Sequence, residues 1–209
     1  MQEKIIEIRN LRVKFKDKVL YNGLNADIYK NEKVAIAGES GSGKSTLINV
    51  LLGFIPQFEG EITIDGKKLS PKYINEIRKI TALVPQELNF SVFPTVKKLF
   101  FRPFEFKANK HLFPSQQEIK DIFDKFELDI NLLNHSIKEI SGGQKQRIVL
   151  ASAVLLKKPI LYLDEPTSAL NTEIKNKITD YILGLKNTTV IASTHDEYFI
   201  NNAQKVIKL

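Results

Sequence analysis

The stretch Gly38-Glu39-Ser40-Gly41-Ser42-Gly43-Lys44-Ser45-Thr46 constrains this chain more than any other. It fits the pattern G-x-x-x-x-G-K-[ST], and its surroundings fit as well. Val34-Ala35-Ile36-Ala37 before it suits a buried strand, and Leu47-Ile48-Asn49-Val50-Leu51-Leu52 after it suits the first turns of a packed helix. A strand, a glycine-rich loop and a helix N-terminus in that order make an anion site. The glycines let backbone N–H groups turn inward, and the helix dipole adds partial positive charge. Lys44 supplies a full charge for terminal phosphates, and the Ser45 hydroxyl is placed to ligate Mg²⁺. The stretch therefore predicts nucleotide binding.

The length of 209 residues suits one domain with a substantial core, and 43% hydrophobic with 26% charged residues is ordinary for a globular protein. With no cysteine, disulfides and thiolate metal sites are excluded. The start, Met1-Gln2-Glu3-Lys4, lacks a signal peptide's apolar core. No apolar run reaches the roughly 18–20 residues that span a bilayer. Any membrane role is expected to come through a partner. The formal net charge of +7 is compatible with polyanion binding, but the lysines are scattered as on a solvated surface.

Along the chain, Lys4-Ile5-Ile6-Glu7-Ile8 and Leu24-Asn25-Ala26-Asp27-Ile28 alternate like antiparallel strands with one wet face. Phe15 between them reads, on composition alone, as core. Gly60 to Gly66 reads as a strand closed by an Asp-Gly hairpin, and Ile80 to Val84 as a buried strand ended by Pro85-Gln86. Residues 86–140 then crowd phenylalanines and prolines, with Ile119, Ile122, Phe123 and Phe126 at helical spacing. This predicts a mostly helical insertion whose phenylalanines either form its core or line a groove for a partner.

Ser141-Gly142-Gly143-Gln144 opens the apolar helix Ile148 to Leu156, giving a second capped N-terminus. Ile160-Leu161-Tyr162-Leu163-Asp164-Glu165 delivers two carboxylates at the end of a buried parallel strand, where α/β sheets place their chemistry. Asp164 suits Mg²⁺, and Glu165 suits activation of an attacking water. Ile174, Ile178, Tyr181, Ile182 and Leu185 mark another helix. Val190 to Ser193 is a core strand leading to His195, and Lys205 to Leu209 an edge strand.

Together these pieces resemble the ATP-binding subunit of an ABC transporter, over the whole chain. Gly38 to Ser45 looks like Walker A, and Ile160 to Asp164 followed by Glu165 like Walker B with its catalytic Glu. Ser141 to Gln144 matches the family signature, Gln86 the Q-loop, Ser168-Ala169-Leu170-Asn171 the D-loop and His195 the H-loop. The resemblance implies an α/β P-loop NTPase of ABC ATPase type. A mostly parallel core sheet flanked by helices would carry an N-terminal antiparallel β part and a small helical insertion. Residues 1–209 would be one domain, with 1–85 and 141–209 as the core and 86–140 as the helical subdomain.

It also implies roles. Phe15 would stack on adenine. Lys44 and the amides of Gly38, Glu39, Ser40, Gly41, Ser42, Gly43, Ser45 and Thr46 would hold the phosphates of ATP. Ser45, Gln86 and Asp164 would lie near Mg²⁺. Glu165 would polarise the attacking water and His195 would contact the γ-phosphate. Ser141, Gly142, Gly143 and Gln144 would complete the site of the opposite protomer, so that two chains close head-to-tail as a homodimer around two ATP molecules. The partner implied is a membrane permease, with the subunit cytoplasmic and peripheral on the inner face of the membrane, and no direct nucleic acid is expected. The alternative is a non-transport ABC ATPase linked to nucleic acid or to mechanical regulation of a membrane complex. Four departures stand out. Phe15 replaces the commoner Tyr, Ile140 the usual Leu, Asn171 the usual D-loop Asp, and Ser152 a frequent Arg whose ion pair would be missing.

Overall fold

The computed structural model describes residues 3–15 and 18–209, and the backbone alone of Phe15 and Lys18. Strands β1 (Lys4–Phe15) and β2 (Lys18–Tyr29) pair antiparallel, and β1 pairs on its other side with β4 (Glu59–Ile64). A two-residue strand β5 (Lys67–Lys68) completes the sheet in the order β2-β1-β4-β5. The Asp65-Gly66 turn between β4 and β5 has φ 49° and 71°, the left-handed pair that an Asp-Gly hairpin predicts.

Strand β1 is longer than its alternation suggested, because it changes phase half-way. Ile6 and Ile8 are buried, and so are Leu11 and Val13. An uninterrupted period of two would point the second pair the other way. The register slips by one residue between Ile8 and Leu11, where Asn10 turns left-handed at φ 50°. That bulge returns Leu11 and Val13 to the core. Opposite it, Gly60 has φ 98°, and a Cβ there would lie 2.5 Å from the Arg9 carbonyl oxygen. Only glycine fits that approach.

The second sheet is parallel, in the order β6-β7-β8-β3-β9. Its strands are β3 (Lys33–Ala37), β6 (Thr81–Val84), β7 (Ile160–Asp164), β8 (Thr189–Ser193) and β9 (Lys205–Lys208). Every residue of β3, β7 and β8 is buried, as the apolar runs predicted for strands covered on both faces. Helix α1 (Lys44–Leu51) follows β3, and the short α2 (Ile74–Lys79) precedes β6. The register sets Asp164 opposite Ser193 and Ile36 opposite the same Ser193. The chain segments leaving β3, β7 and β8 therefore emerge side by side at one end of the sheet.

Between Gln86 and Ile140 the ordered elements are helical: α3 (Val96–Glu105), α4 (Gln116–Lys125) and three single 3₁₀ turns. Phe100, Phe104, Phe123 and Phe126 are fully buried there, each contributing about 1.5–3 kcal/mol of burial. Phe106 and Phe113 are exposed. The core reading of the phenylalanines thus holds for those four buried residues. Helix α5 (Gly142–Leu155) packs against α3 and α4. The Ser152 hydroxyl, buried on α5, donates to the Phe100 carbonyl over 2.6 Å. That bond occupies the position where an ion-paired Arg was expected. Helices α6 (Thr172–Leu183) and α7 (Glu197–Asn202) complete the layers. Among the described residues no helix is long and apolar enough to cross a membrane.

Candidate active site

The loop after β3 wraps toward the N-terminus of α1, with Gly41 at φ 76° and Gly43 at φ 106°. Both dihedrals are readily open to glycine and strained for other residues. Lys44 Nζ folds back over the loop and donates to the carbonyls of Gly38 (3.0 Å) and Glu39 (3.1 Å). These neutral acceptors orient the ammonium without cancelling its charge. The Ser42 hydroxyl oxygen is buried with no hydrogen-bond partner, a polar group that a phosphate oxygen would satisfy. From the antiparallel sheet, Tyr21 reaches under the loop and its phenol donates to the Gly43 carbonyl. Burial pushes that phenol well above its ordinary pKa, so it remains a donor.

Ser45, in the first turn of α1, donates through Oγ to Asp164 Oδ1 over 2.8 Å. Ser193 Oγ donates to the same oxygen. Asp164 is thus held by the first turn of α1 and by the end of the neighbouring strand β8. The next residue, Glu165, turns left-handed at φ 48°. Its N–H donates to the Ser193 carbonyl over 3.0 Å, and its Oε2 lies 2.9 Å from His195 Nδ1. The Glu165 side chain is 10% exposed and that of His195 72%, so the carboxylate is sheltered with the imidazole over its outer side.

The structure brings Lys44, Ser45, Asp164, Glu165 and His195 together around the ends of three adjacent strands. Gln86 is exposed beyond the end of β6 and lines a cavity with Phe90, Gly142, Gln146, Ser168 and Ala169. Ser141 caps α5 by accepting from the Gln144 N–H (3.2 Å), while Gln144 Oε1 accepts from the Ser141 N–H (2.8 Å). Ser141 and Gly142 are exposed, and a Cβ on Gly142 would meet nothing within 4 Å. Such a surface leaves room for another molecule's phosphate. The side chain of Phe15 lies outside the described residues. Asn171 caps α6 by accepting from the Ile174 N–H over 3.0 Å, a task an amide performs as well as a carboxylate.

Sequence reasoning missed Ser193, Tyr21, Gln146 and Arg147. Ser193 was signalled only by its place at the end of an apolar strand. Arg147 is buried and donates to the carbonyls of Phe126 (2.9 Å) and Glu127 (2.6 Å), closing the end of α4 against α5. Its burial lowers the guanidinium pKa from its ordinary value.

The family model described as ABC transporter matches residues 21–168, from β2 through the turn after Glu165. The chain belongs to the ABC transporter family. This ABC cassette is 32% identical over 203 residues to the probable iron chelatin transport ATP-binding protein of Helicobacter pylori (strain ATCC 700392 / 26695), covering 92% of the chain and 78% of the relative. It is also 32% identical over 202 residues to the ATP-dependent lipid A-core flippase of Pasteurella multocida (strain Pm70), again over 92% of the chain. Of that longer relative it spans 34%. Among solved structures it is similar to a dimeric ATP-binding cassette in a post-hydrolysis state with ADP and Pi. The TM-score is 0.81 at 26% identity, over 98% of this chain and 94% of the other. The loop geometry of this ABC cassette fits ATP: one loop carries an ammonium held by neutral acceptors, an unpaired buried hydroxyl and glycine-permitted turns.

Proposed function

We propose that this chain is the ATP-hydrolysing subunit of a transporter and that it works as a head-to-tail homodimer. The observation that carries the reading is the Glu165–His195 pair, set beside the Ser45–Asp164 pair at the end of β7. Glu165 accepts the proton of a water as its oxygen attacks the γ-phosphorus. The bond from that phosphorus to the bridging oxygen breaks and ADP leaves. His195 holds the carboxylate and reaches the γ-phosphate, and Lys44 neutralises charge on the transferred group.

Ser45 and Asp164 offer hard oxygen donors that fit Mg²⁺, with Gln86 the third candidate. A bound Mg²⁺ supplies positive charge to the β- and γ-phosphate oxygens. The exposed Ser141 and Gly142, with Gly143 and Gln144 behind them, complete the partner protomer's site. Phe15 stacks on adenine. Residues 86–140 form the helical part that a separate membrane permease engages, which keeps the subunit on the inner face of the membrane.

The test uses Glu165→Gln and the unaltered chain. With ATP, Glu165→Gln should elute as a dimer while the unaltered chain releases phosphate. A monomer under saturating ATP, together with no phosphate release from the unaltered chain, would overturn the reading.

A further inference from the structure

Gln146 lies two residues past the signature tetrapeptide on α5, yet its side chain points to the backbone of Glu165. Nε2 donates to the Glu165 carbonyl over 3.1 Å and to Ser168 Oγ over 3.4 Å, and Oε1 accepts from the Ala169 N–H over 3.0 Å. The Ser168 hydroxyl donates to the same Glu165 carbonyl over 3.2 Å. Gly143, three residues earlier, brings helix and loop into close approach, since a Cβ there would sit 3.1 Å from the Ala169 carbonyl oxygen. The backbone of Glu165 is left-handed, a conformation that a residue other than glycine keeps only when its surroundings hold it. The Ser193 carbonyl holds its N–H, and Gln146 with Ser168 holds its C=O.

We infer that Gln146 is a positioning residue for ATP hydrolysis, which ties the aim of the Glu165 carboxylate to the placement of α5. The inference rests on the reading that Glu165 activates the water. It deepens that reading in one respect. The cap of α5 serves the partner protomer's nucleotide, while Gln146 on the same helix serves this protomer's carboxylate. One rigid helix therefore links the two sites of the dimer. Gln86 lines the same cavity as Gln146, Gly142 and Ser168, so a displacement of the loop after β6 meets this junction first.

Two variants test it. Gln146→Met keeps the side-chain length and removes both polar atoms. Gln146→Glu keeps an acceptor for Ala169 and sets a carboxylate against the Glu165 carbonyl. For Gln146→Met we expect kcat to fall about tenfold, the worth of one or two neutral hydrogen bonds, with the ATP Kd and ATP-driven dimerisation unchanged. Gln146→Glu should be equally impaired at pH 8. Relative to the unaltered chain it should recover as pH falls, because the protonated carboxyl again donates to the carbonyl. A purely structural clamp would lower Tm without this pH-dependent recovery. An unchanged kcat in Gln146→Met would overturn the proposal. If that variant fails to fold, a flat activity ratio between Gln146→Glu and the unaltered chain across pH would do so. Undiminished hydrolysis by Glu165→Gln would instead remove the reading beneath it, so the two failures are told apart.

Discussion

The Ser45 hydroxyl meets Asp164 Oδ1 at 2.8 Å across 119 residues of chain, joining the helix that starts at the phosphate loop to the end of a core strand. Ser193 adds a second donor to the same oxygen. Asp164 is thus fixed in position by two neutral hydroxyl donors, which leave its charge available to a divalent ion. Chelating Mg²⁺ should therefore stop phosphate release while leaving the fold intact by circular dichroism. Asp164→Asn should raise the Mg²⁺ concentration for half-maximal activity about tenfold or more, a loss on the scale of one charge-assisted bond. A magnesium titration decides this. An identical curve for the variant would detach Asp164 from the metal.

Replacing Glu165 with Gln removes the proton acceptor but keeps the side-chain volume. Turnover should fall by about 10²–10⁴, the usual worth of a general base, with ATP affinity retained. Single-turnover phosphate release, measured beside equilibrium binding of labelled ATP, separates the two.

Lys44→Ala should act on binding. Its ammonium is oriented by the Gly38 and Glu39 carbonyls, and a charged hydrogen bond to phosphate contributes about 1.5–3 kcal/mol. The ATP Kd should rise by about 10- to 100-fold. Calorimetric titration yielding the original Kd would contradict the assignment.

Ser152 lies away from the nucleotide and offers a stability test. Removing its hydroxyl takes one donor from the Phe100 carbonyl, a loss of about 0.5–1.5 kcal/mol. Ser152→Ala should unfold at lower urea concentration, with unchanged kcat per folded molecule. A midpoint equal to that of the unaltered chain would mean that the carbonyl finds another donor.

Acid acts on α4 through its capping box. The Lys157 ammonium, and after it the backbone and hydroxyl of Ser115, lower the Glu118 carboxyl to about 2. A carboxyl depressed in the folded state stabilises above its unfolded pKa, and the contribution is lost as pH falls from about 4.5 to 2. The side chain is 37% exposed, so solvent screening keeps this below about 1 kcal/mol. The gap in unfolding free energy between the unaltered chain and Glu118→Gln should close across that interval. A gap constant down to pH 2 would refute the ion pair.

The strand ends of the candidate site were legible because each carries a strong local signal. Four apolar residues before Asp164-Glu165 fix a doubly covered strand, and Gly-Lys-Ser fixes a loop entering a helix. The full extent of β1 was not legible, since the bulge at Asn10 breaks the period on which a strand is read. Gln146 was not legible either. Its partners, Glu165, Ser168 and Ala169, come from a turn about twenty residues downstream, and only tertiary packing brings them to α5. Asn171 and Ser152 read as losses in the sequence. In the fold one is a helix cap and the other pairs a carbonyl, so each residue satisfies a neighbour of its own.

The left-handed backbone at Glu165 has a consequence for anyone seeking a hardier form of this protein. Glycine or asparagine adopts φ 48° with less strain than glutamate, and either would remove a sheltered carboxylate from the sheet end. Selection for heat resistance alone would therefore favour replacements at the position we propose as the general base. Screens for robust variants of this cassette should score phosphate release at every round.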